Sequence, residues 1–346
     1  MSLAATFDIK GWCPGGVRPM PSGDGLLVRV RPGCGAFTLA QTKGLAEIAA
    51  TLGNGHIDLT RRANLQIRGL REEKLSALHD ALDRLGLLED EAARNVMVDP
   101  LAGPEVRALA LALGRALPGD SPAKFGCLVD GGGPLSIVGE RADVALAVTA
   151  DGVAVRVHGE WLGVTDAEHA TSAAFGERSF LSKMTVTPVP GRRRLGRLGG
   201  FTGLAVPFGR IEAQQLLDLV ASCAKGDASE IRLSPWRALY VDAAIDASGF
   251  ITADNDPLLR IEACPGAPAC ASATVDTRAA ARRLATIGLA GTIHVSGCAK
   301  GCARSTPADL TLVGQDGRYG VVRNGTARDQ ATRIVKPDAL DRLLDD

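Results

Sequence analysis

The sequence predicts an α+β fold built twice, in the order A, B, A′, B′, and three observations predict it. A strand, helix, strand pattern that begins near residue 25 returns near residue 203. A shorter pattern, two apolar strands joined by Asp-Gly, begins at residue 142 and returns at residue 308. The two pairs alternate along one chain, as a duplicated gene would leave them.

Unit A opens with Gly25-Leu-Leu-Val-Arg-Val, whose alternation reads as a strand. A turn leads into helix-period sequence from Thr38 to Leu52, and Ile57-Asp-Leu-Thr-Arg-Arg-Ala-Asn-Leu-Gln-Ile67 reads as the next strand. A second helix signal runs from Glu72 to Leu85. Unit B carries Ala142-Asp-Val-Ala-Leu, then Asp151-Gly152 and a valine-rich strand. The join near Arg192-Arg-Arg-Leu-Gly-Arg197 reads as a solvated linker or as a carboxylate-binding loop facing the site. In A′, Gly203-Leu-Ala-Val, Glu212 to Ala224 and Ile231 to Val241 repeat the first unit, with Gln215 on Gln41 and Leu219 on Leu45; the second helix signal is weak here. Unit B′ repeats B through Ala308-Asp-Leu-Thr-Leu, Asp316-Gly317 and Val321-Val322. The expected domains are 10–92, 93–190, 191–252 and 253–346.

Composition narrows function. Lysine plus arginine equals aspartate plus glutamate, 39 against 39, so the whole-chain field favours neither nucleic acid nor an anionic membrane as partner. The apolar run Ala108 to Leu113 is far shorter than the roughly 20 residues that cross a bilayer, and the first residues lack an apolar signal core, so a cytoplasmic location is expected. In such a reducing compartment eight cysteines are not a disulfide framework, and metal or redox chemistry becomes the leading reading. Cys13, Cys34, Cys127 and Cys223 are scattered singly, as small buried hydrophobes are.

The other four are paired, as Cys264-Pro-Gly-Ala-Pro-Ala-Cys270 and Cys298-Ala-Lys-Gly-Cys302. Pro265 and Pro268 keep the first pair on a loop. In the second pair, a spacing of four places both thiols on one face of a helical turn, delivered by the strand-like Thr292-Ile-His-Val295. Gly297 and Gly301 let backbone approach something bulky. Four thiolates suit a structural zinc ion or a 4Fe-4S cluster; zinc sites prefer tighter knuckles, and the longer spacings favour the cluster. Lys300, between the last two cysteines, reads as a charge that raises the cluster's potential or as an exposed turn lysine.

These residues resemble the sulfite and nitrite reductase superfamily, whose members share the A, B, A′, B′ duplication and bind 4Fe-4S through such cysteine pairs. The resemblance runs from about residue 10 to 330. It implies ferredoxin-like half-domains A and A′, alternating with α+β cluster- and tetrapyrrole-binding domains, and it puts Cys302 against the iron of a sirohaem. Thr60-Arg-Arg-Ala-Asn-Leu-Gln-Ile-Arg-Gly69 resembles the family's TTRQxxQ-type strand, Arg94-Asn95-Val96 its RNV stretch, and Pro122-Ala-Lys-Phe125 its PRKFK stretch. Arg62, Arg94 and Lys124 thereby fall on three of four catalytic cations around the bound anion, and Gly126 falls on the fourth. That glycine weakens a small-anion cage and is expected to open space for a bigger substrate.

The stretch from Gly11 to Gly25 resembles the oxygen-dependent branch of the superfamily in aerobic cobalamin synthesis. Such enzymes are implied to hydroxylate precorrin-3A at a meso carbon and form a lactone. Arg61, Asn64, Gln66, Arg192 and Arg193 are then expected, with the three catalytic cations, to bind the carboxylates of a tetrapyrrole. The runner-up is a sirohaem-dependent sulfite or nitrite reductase; a non-catalytic zinc or tetrapyrrole-binding protein is the third reading. Oxygen chemistry needs a metal with an open position, which a cluster held by four thiolates lacks. Sirohaem or a mononuclear non-haem iron would supply it, and among five histidines the pair His56 and Asp58, two apart in a strand, is the candidate ligand set. Gly131-Gly-Gly-Pro is no dinucleotide fingerprint, so electrons are expected from a separate reductase or ferredoxin.

Overall fold

Each repeat resolves into matching elements in a computed structural model, which describes residues 13–89, 95–122 and 124–344. Unit A contains strands β1 (Met20–Ser22), β2 (Gly25–Val30) and β3 (Ala36–Thr38), helix α1 (Leu39–Thr51), β4 (His56–Leu59), β5 (Leu65–Leu70) and α2 (Leu75–Arg84). Unit B contains β6 (Asn95–Val98), α3 (Pro104–Arg115), β7 (Gly126–Asp130), β8 (Val144–Thr149), β9 (Gly152–Val157), β10 (Glu160–Thr165) and α4 (Ala170–Ala174). A′ follows with β11 (Gly196–Leu198), β12 (Phe201–Ala205), β13 (Arg210–Glu212), α5 (Ala213–Lys225), β14 (Glu230–Leu233) and β15 (Ala238–Val241). B′ holds β16 (Ile261–Ala263), α6 (Thr277–Ile287), β17 (Ile293–Ser296), β18 (Ala308–Gln315), β19 (Arg318–Gly325) and β20 (Arg333–Val335). The described residues fall into two compact units, one of 13–20 with 27–252, the other of 21–26 with 253–344.

Among the described residues the strands make four five-stranded sheets, ordered β1-β2-β5-β4-β13, β10-β9-β8-β7-β6, β11-β12-β15-β14-β3 and β16-β17-β18-β19-β20. The first and third are copies that complete each other. β3 leaves A to pair with β14, Phe37 opposite Ile231, while β13 leaves A′ to pair with β4, Ile211 opposite Ile57. Helices α1 and α5 pack together beside this exchange. Thr38 and Gln41 close a capping box that starts α1, and Leu45 and Leu219, matched by the repeat, are both buried.

Ion pairs lie beside both exchanges. Arg210 holds Asp58 with two hydrogen bonds (2.8 and 3.2 Å), and Arg68 approaches the same carboxylate at 3.6 Å. In the other sheet Arg107 makes a forked pair with Glu230 (3.0 and 2.6 Å), and Arg232 joins it at 2.7 Å.

The stretches 57–67 and 231–241, read from sequence as single strands, are hairpins. Thr60 Oγ1 accepts the Asn64 amide (3.1 Å), Ser234 Oγ accepts the Ala238 amide (3.2 Å), and Ala63 and Arg237 take positive φ of 51° and 58° at the same place in each loop. The chain reverses there without glycine, and this is why the pattern reads as continuous.

The B and B′ sheets share one topology. β6, β7 and β8 are parallel and β9 and β10 antiparallel to their neighbours, just as β16, β17 and β18 are parallel and β19 and β20 antiparallel. Both Asp-Gly turns join antiparallel strands as expected; Asp316 and Gly317 both take positive φ (47° and 73°), the mirror turn that suits strand twist. Cys127 lies in a core with Leu109, Leu113, Val129 and Leu146. Cys223 is also buried, whereas Cys13 and Cys34 are only half-buried.

Candidate functional site

The parallel ends of β16 and β17 bring the cysteine loops together. Ala263 lies opposite Val295, so Cys264 and the Gly297-Cys298 step leave adjacent strand ends. The Cys264 carbonyl accepts from Thr277 Oγ1 (2.6 Å), and its Sγ accepts the Gly297 amide (3.2 Å). Gly297 is required there, because a Cβ would stand 2.5 Å from that of Ala273. The first loop also rests on the tip between β1 and β2. Ser22 Oγ donates to the Ala269 carbonyl (3.4 Å), and a Cβ on Gly23 would come within 2.5 Å of the Ala271 nitrogen. Sequence reasoning gave Gly23 no role, although the glycine-rich stretch around it was visible.

Residues 298–302 form a turn rather than the expected helical turn, because Gly301 takes a positive φ of 66°. Cys264 is buried, Cys270 and Cys298 are half-buried, and Cys302 reaches the surface. Desolvation holds the Cys298 thiol above its ordinary value; the Lys300 amide opposes this, and Cys270 and Cys264 add to it. Cys302 is pushed up to about 11, first by desolvation, with Lys300 pulling down and the other three thiols pushing up. The two thiols of the second pair therefore resist deprotonation until positive charge arrives beside them, as thiols that bind a metal do. Among the described residues no three His, Cys, Asp or Glu side chains are placed to hold a single metal ion.

The basic residues lie in the other compact unit. Arg61 and Arg62 occupy the β4–β5 hairpin loop. Thr60 Oγ1 accepts the Arg62 amide (3.2 Å), and Asn95 Nδ2 donates to the Arg62 carbonyl (3.1 Å). Asn64, expected to bind substrate, is 1% exposed; with its amide nitrogen turned to satisfy both ends, it donates to Asn95 Oδ1 (2.8 Å) and the Ala63 carbonyl (3.1 Å). It therefore supports the loop that presents Arg62. Gln66 is half-buried on β5 opposite Asp58.

Arg62 Nη1 donates to the Arg141 carbonyl (3.2 Å). Beside it, burial raises the Glu140 carboxyl, opposed by Arg61, a Trp236 hydrogen bond and Arg62. Trp236 holds in the second hairpin the place of Arg62 in the first, so both repeats aim a side chain at Glu140. Arg29 on β2 and Arg31 just beyond its end alternate with buried Val28 and Val30. Burial lowers the Arg29 guanidinium; Cys13 counteracts this while Arg31 and Arg62 add to it, and Arg31 pairs with Glu89 (2.6 Å). These two arginines were missed, although their alternation with valine was the available signal.

Other expected residues stand apart from this group or outside the described chain. Arg94 lies outside the described residues, as do Gly11 and Trp12. Lys124 is exposed in the turn before β7. The space at Gly126 is not open: a Cβ there would lie 3.3 Å from Arg62 Cζ and closer still to Nη1, so the guanidinium fills what the sequence reading gave to a bigger substrate. Arg192 and Arg194 line a groove of about 500 Å³ with Asp130, Ser136 and Val189, while Arg193 is half-buried beside them in sequence. The His56 and Asp58 pair is not an iron site in this arrangement, because both Asp58 oxygens are taken by Arg210 and Arg68.

Comparison with known proteins agrees with this architecture. Residues 18–85 match the nitrite/sulfite reductase ferredoxin-like half domain. A precorrin-3B synthase from Sinorhizobium is 32% identical over 92% of this chain and 83% of its own length. A ferredoxin–nitrite reductase from Leptolyngbya laminosa is 33% identical, but over only 25% of this chain and 18% of its own. The structure of the Mycobacterium tuberculosis NirA protein superposes with a TM-score of 0.68, covering 92% of this chain and 80% of that one at 19% identity, a likeness of fold. The full-length match, the half-domain and the duplicated sheets together place this chain in the precorrin-3B synthase family, oxidoreductases with the nitrite and sulfite reductase fold.

Proposed function

We propose that this enzyme is an oxygen-dependent monooxygenase that hydroxylates precorrin-3A with lactone formation, ahead of ring contraction in aerobic cobalamin synthesis. The observation that carries this reading is the likeness to the Sinorhizobium precorrin-3B synthase over 92% of the chain. The nitrite reductase likeness, confined to 25% of the chain, gives the sirohaem reductase reading less support.

Cys264, Cys270, Cys298 and Cys302 would hold a 4Fe-4S cluster, which when bound passes single electrons. One oxygen atom enters the substrate and the other leaves as water, so two electrons must arrive from a separate reductase or ferredoxin. Sirohaem or a mononuclear iron would meet the oxygen; residues other than Asp58 would have to ligate the latter. Arg62 is the residue on which we place a substrate carboxylate, with Arg61, Arg94, Lys124, Arg192 and Arg193 as further cations of the macrocycle site. The basic group around Arg29 and Arg62 supports this, since half-buried like charges brought together gain from a bound anion. We read the four domains as 10–92, 93–190, 191–252 and 253–346; the B and B′ sheets each fall within one of them, while the A and A′ sheets exchange a strand.

The test is the visible spectrum of anaerobically purified protein, with iron, labile sulfide and extracted tetrapyrrole quantified in the same sample, followed by oxygen-dependent turnover of precorrin-3A. Brown cluster absorption, four labile sulfides per chain and a hydroxylated product are expected. Stoichiometric sirohaem with reduction of sulfite or nitrite, and no precorrin-3A turnover, would replace this reading by the reductase one.

A further inference from the structure

We propose that Gly126 positions Arg62 for substrate binding: the missing side chain at 126 makes room for the guanidinium to lie against the start of β7. This rests on the reading of Arg62 as the partner of a tetrapyrrole carboxylate.

Three observations carry it. The three heavy atoms nearest a Cβ at 126 are Nη1, Cζ and Nη2 of Arg62, so the residue a side chain would first displace is that arginine. Gly126 does not take the left-handed backbone that demands glycine, so turn geometry does not account for it. Both backbones are pinned. The Gly126 amide donates to Asp143 Oδ2 (2.8 Å) and its carbonyl accepts the Asp143 amide (2.7 Å), while Thr60 and Asn95 fix the Arg62 main chain.

An added methyl therefore cannot be absorbed by backbone movement and must turn the guanidinium away. In its present place Arg62 spends Nη1 on the Arg141 carbonyl, its one hydrogen bond from the side chain among the described residues. The remaining N–H groups make no hydrogen bond among the described residues and can meet a carboxylate in the paired geometry that makes arginine selective. A side chain at 126 would break the Arg141 tether and scatter that geometry while leaving the charge.

The test is a double-mutant cycle in the full chain, using Gly126→Ala, Arg62→Ala and the combination. Uroporphyrin binding is read by fluorescence quenching, and iron and labile sulfide content report the intact fold. Arg62→Ala should weaken binding about tenfold, the loss of one charge-assisted hydrogen bond, and Gly126→Ala should cost about the same. The combination should be no weaker than Arg62→Ala alone, because the clash has lost its object. In turnover, Gly126→Ala should raise KM and leave kcat nearly unchanged. If Gly126→Ala fails to fold through the clash, the double variant should fold, and recovery of the iron and labile sulfide lost in Gly126→Ala then reports the coupling, whereas failure of both variants to fold overturns it. Wild-type binding by Gly126→Ala, or a loss that adds to that of Arg62→Ala, overturns the positioning role. Wild-type binding by Arg62→Ala overturns the carboxylate reading beneath it, whatever Gly126→Ala does.

Discussion

The same backbone step serves two chemistries at the residue scale. In B′ the Gly297 amide donates to the Cys264 sulfur (3.2 Å); at the matching step in B, the Gly131 amide donates to Asp99 Oδ2 (2.7 Å). Duplication kept an acceptor at the end of the first parallel strand and changed its atom. Asp99 is buried, and burial first, with the nearby Asp130 adding, raises its carboxyl from 3.8 to about 6 against the amides of Gly131 and Leu101. The folded value lies above the unfolded one, so the folded state holds the extra proton. That contribution to stability is complete below pH 3.8 and is lost as pH rises through about 6. The urea midpoint, as far as Asp99 sets it, should fall as pH rises from 3.8 to about 6, and Asp99→Asn should flatten that fall. An unchanged slope in the variant would remove Asp99 as its source.

At the scale of elements, the exchange of β3 and β13 decides how the half-domains hold together. Glu230 on β14 gathers Arg107 and Arg232, with side chains a quarter exposed or less, so Glu230→Ala leaves two guanidinium groups without their carboxylate. We expect a loss of about 2 kcal/mol, below the range for fully buried pairs. Glu47→Ala, which removes the exposed 3.7 Å pair with Lys43, should cost under about 0.5 kcal/mol. Urea denaturation of both variants checks the contrast, and equal losses would reject it. Helices α1, α2 and α5, the Asp-Gly hairpins and the paired cysteines were legible because each rests on local periodicity or spacing, whereas α3 and α6 went unread. The hairpin at 60–64 was not, because Thr-Arg-Arg-Ala-Asn carries neither glycine nor proline and Ala63 reverses the chain. Strand exchange left no local trace either: Asp58 meets Arg210 across a sequence separation of 152. The filling of the space beside Gly126 by Arg62 is likewise a matter of distance between segments, which composition cannot report.

For the molecule as a whole, duplication with exchange predicts joint unfolding of the sheets in the larger unit. Losing A′ would strip β4 of its β13 neighbour, and losing A would strip β14 of β3, leaving each remaining sheet with an exposed edge. The B sheet is tied in as well, since Arg232 on β14 donates to the carbonyls of Pro100 (3.0 Å) and Ala102 (3.1 Å) between β6 and α3. Two tryptophans sample different parts of this unit: Trp161 lies on β10 in B, and Trp236 in the β14–β15 loop of A′. With Trp12→Phe already in place, Trp161→Phe and Trp236→Phe each leave a single reporter. If the sheets unfold as one, the fluorescence of the two variants should show a single shared urea midpoint once each variant's own stability is allowed for. Were Trp161 to report an earlier transition than Trp236, B would be an independent folding unit, and the contacts from Arg232 would be too weak to couple it to the exchanged half-domains.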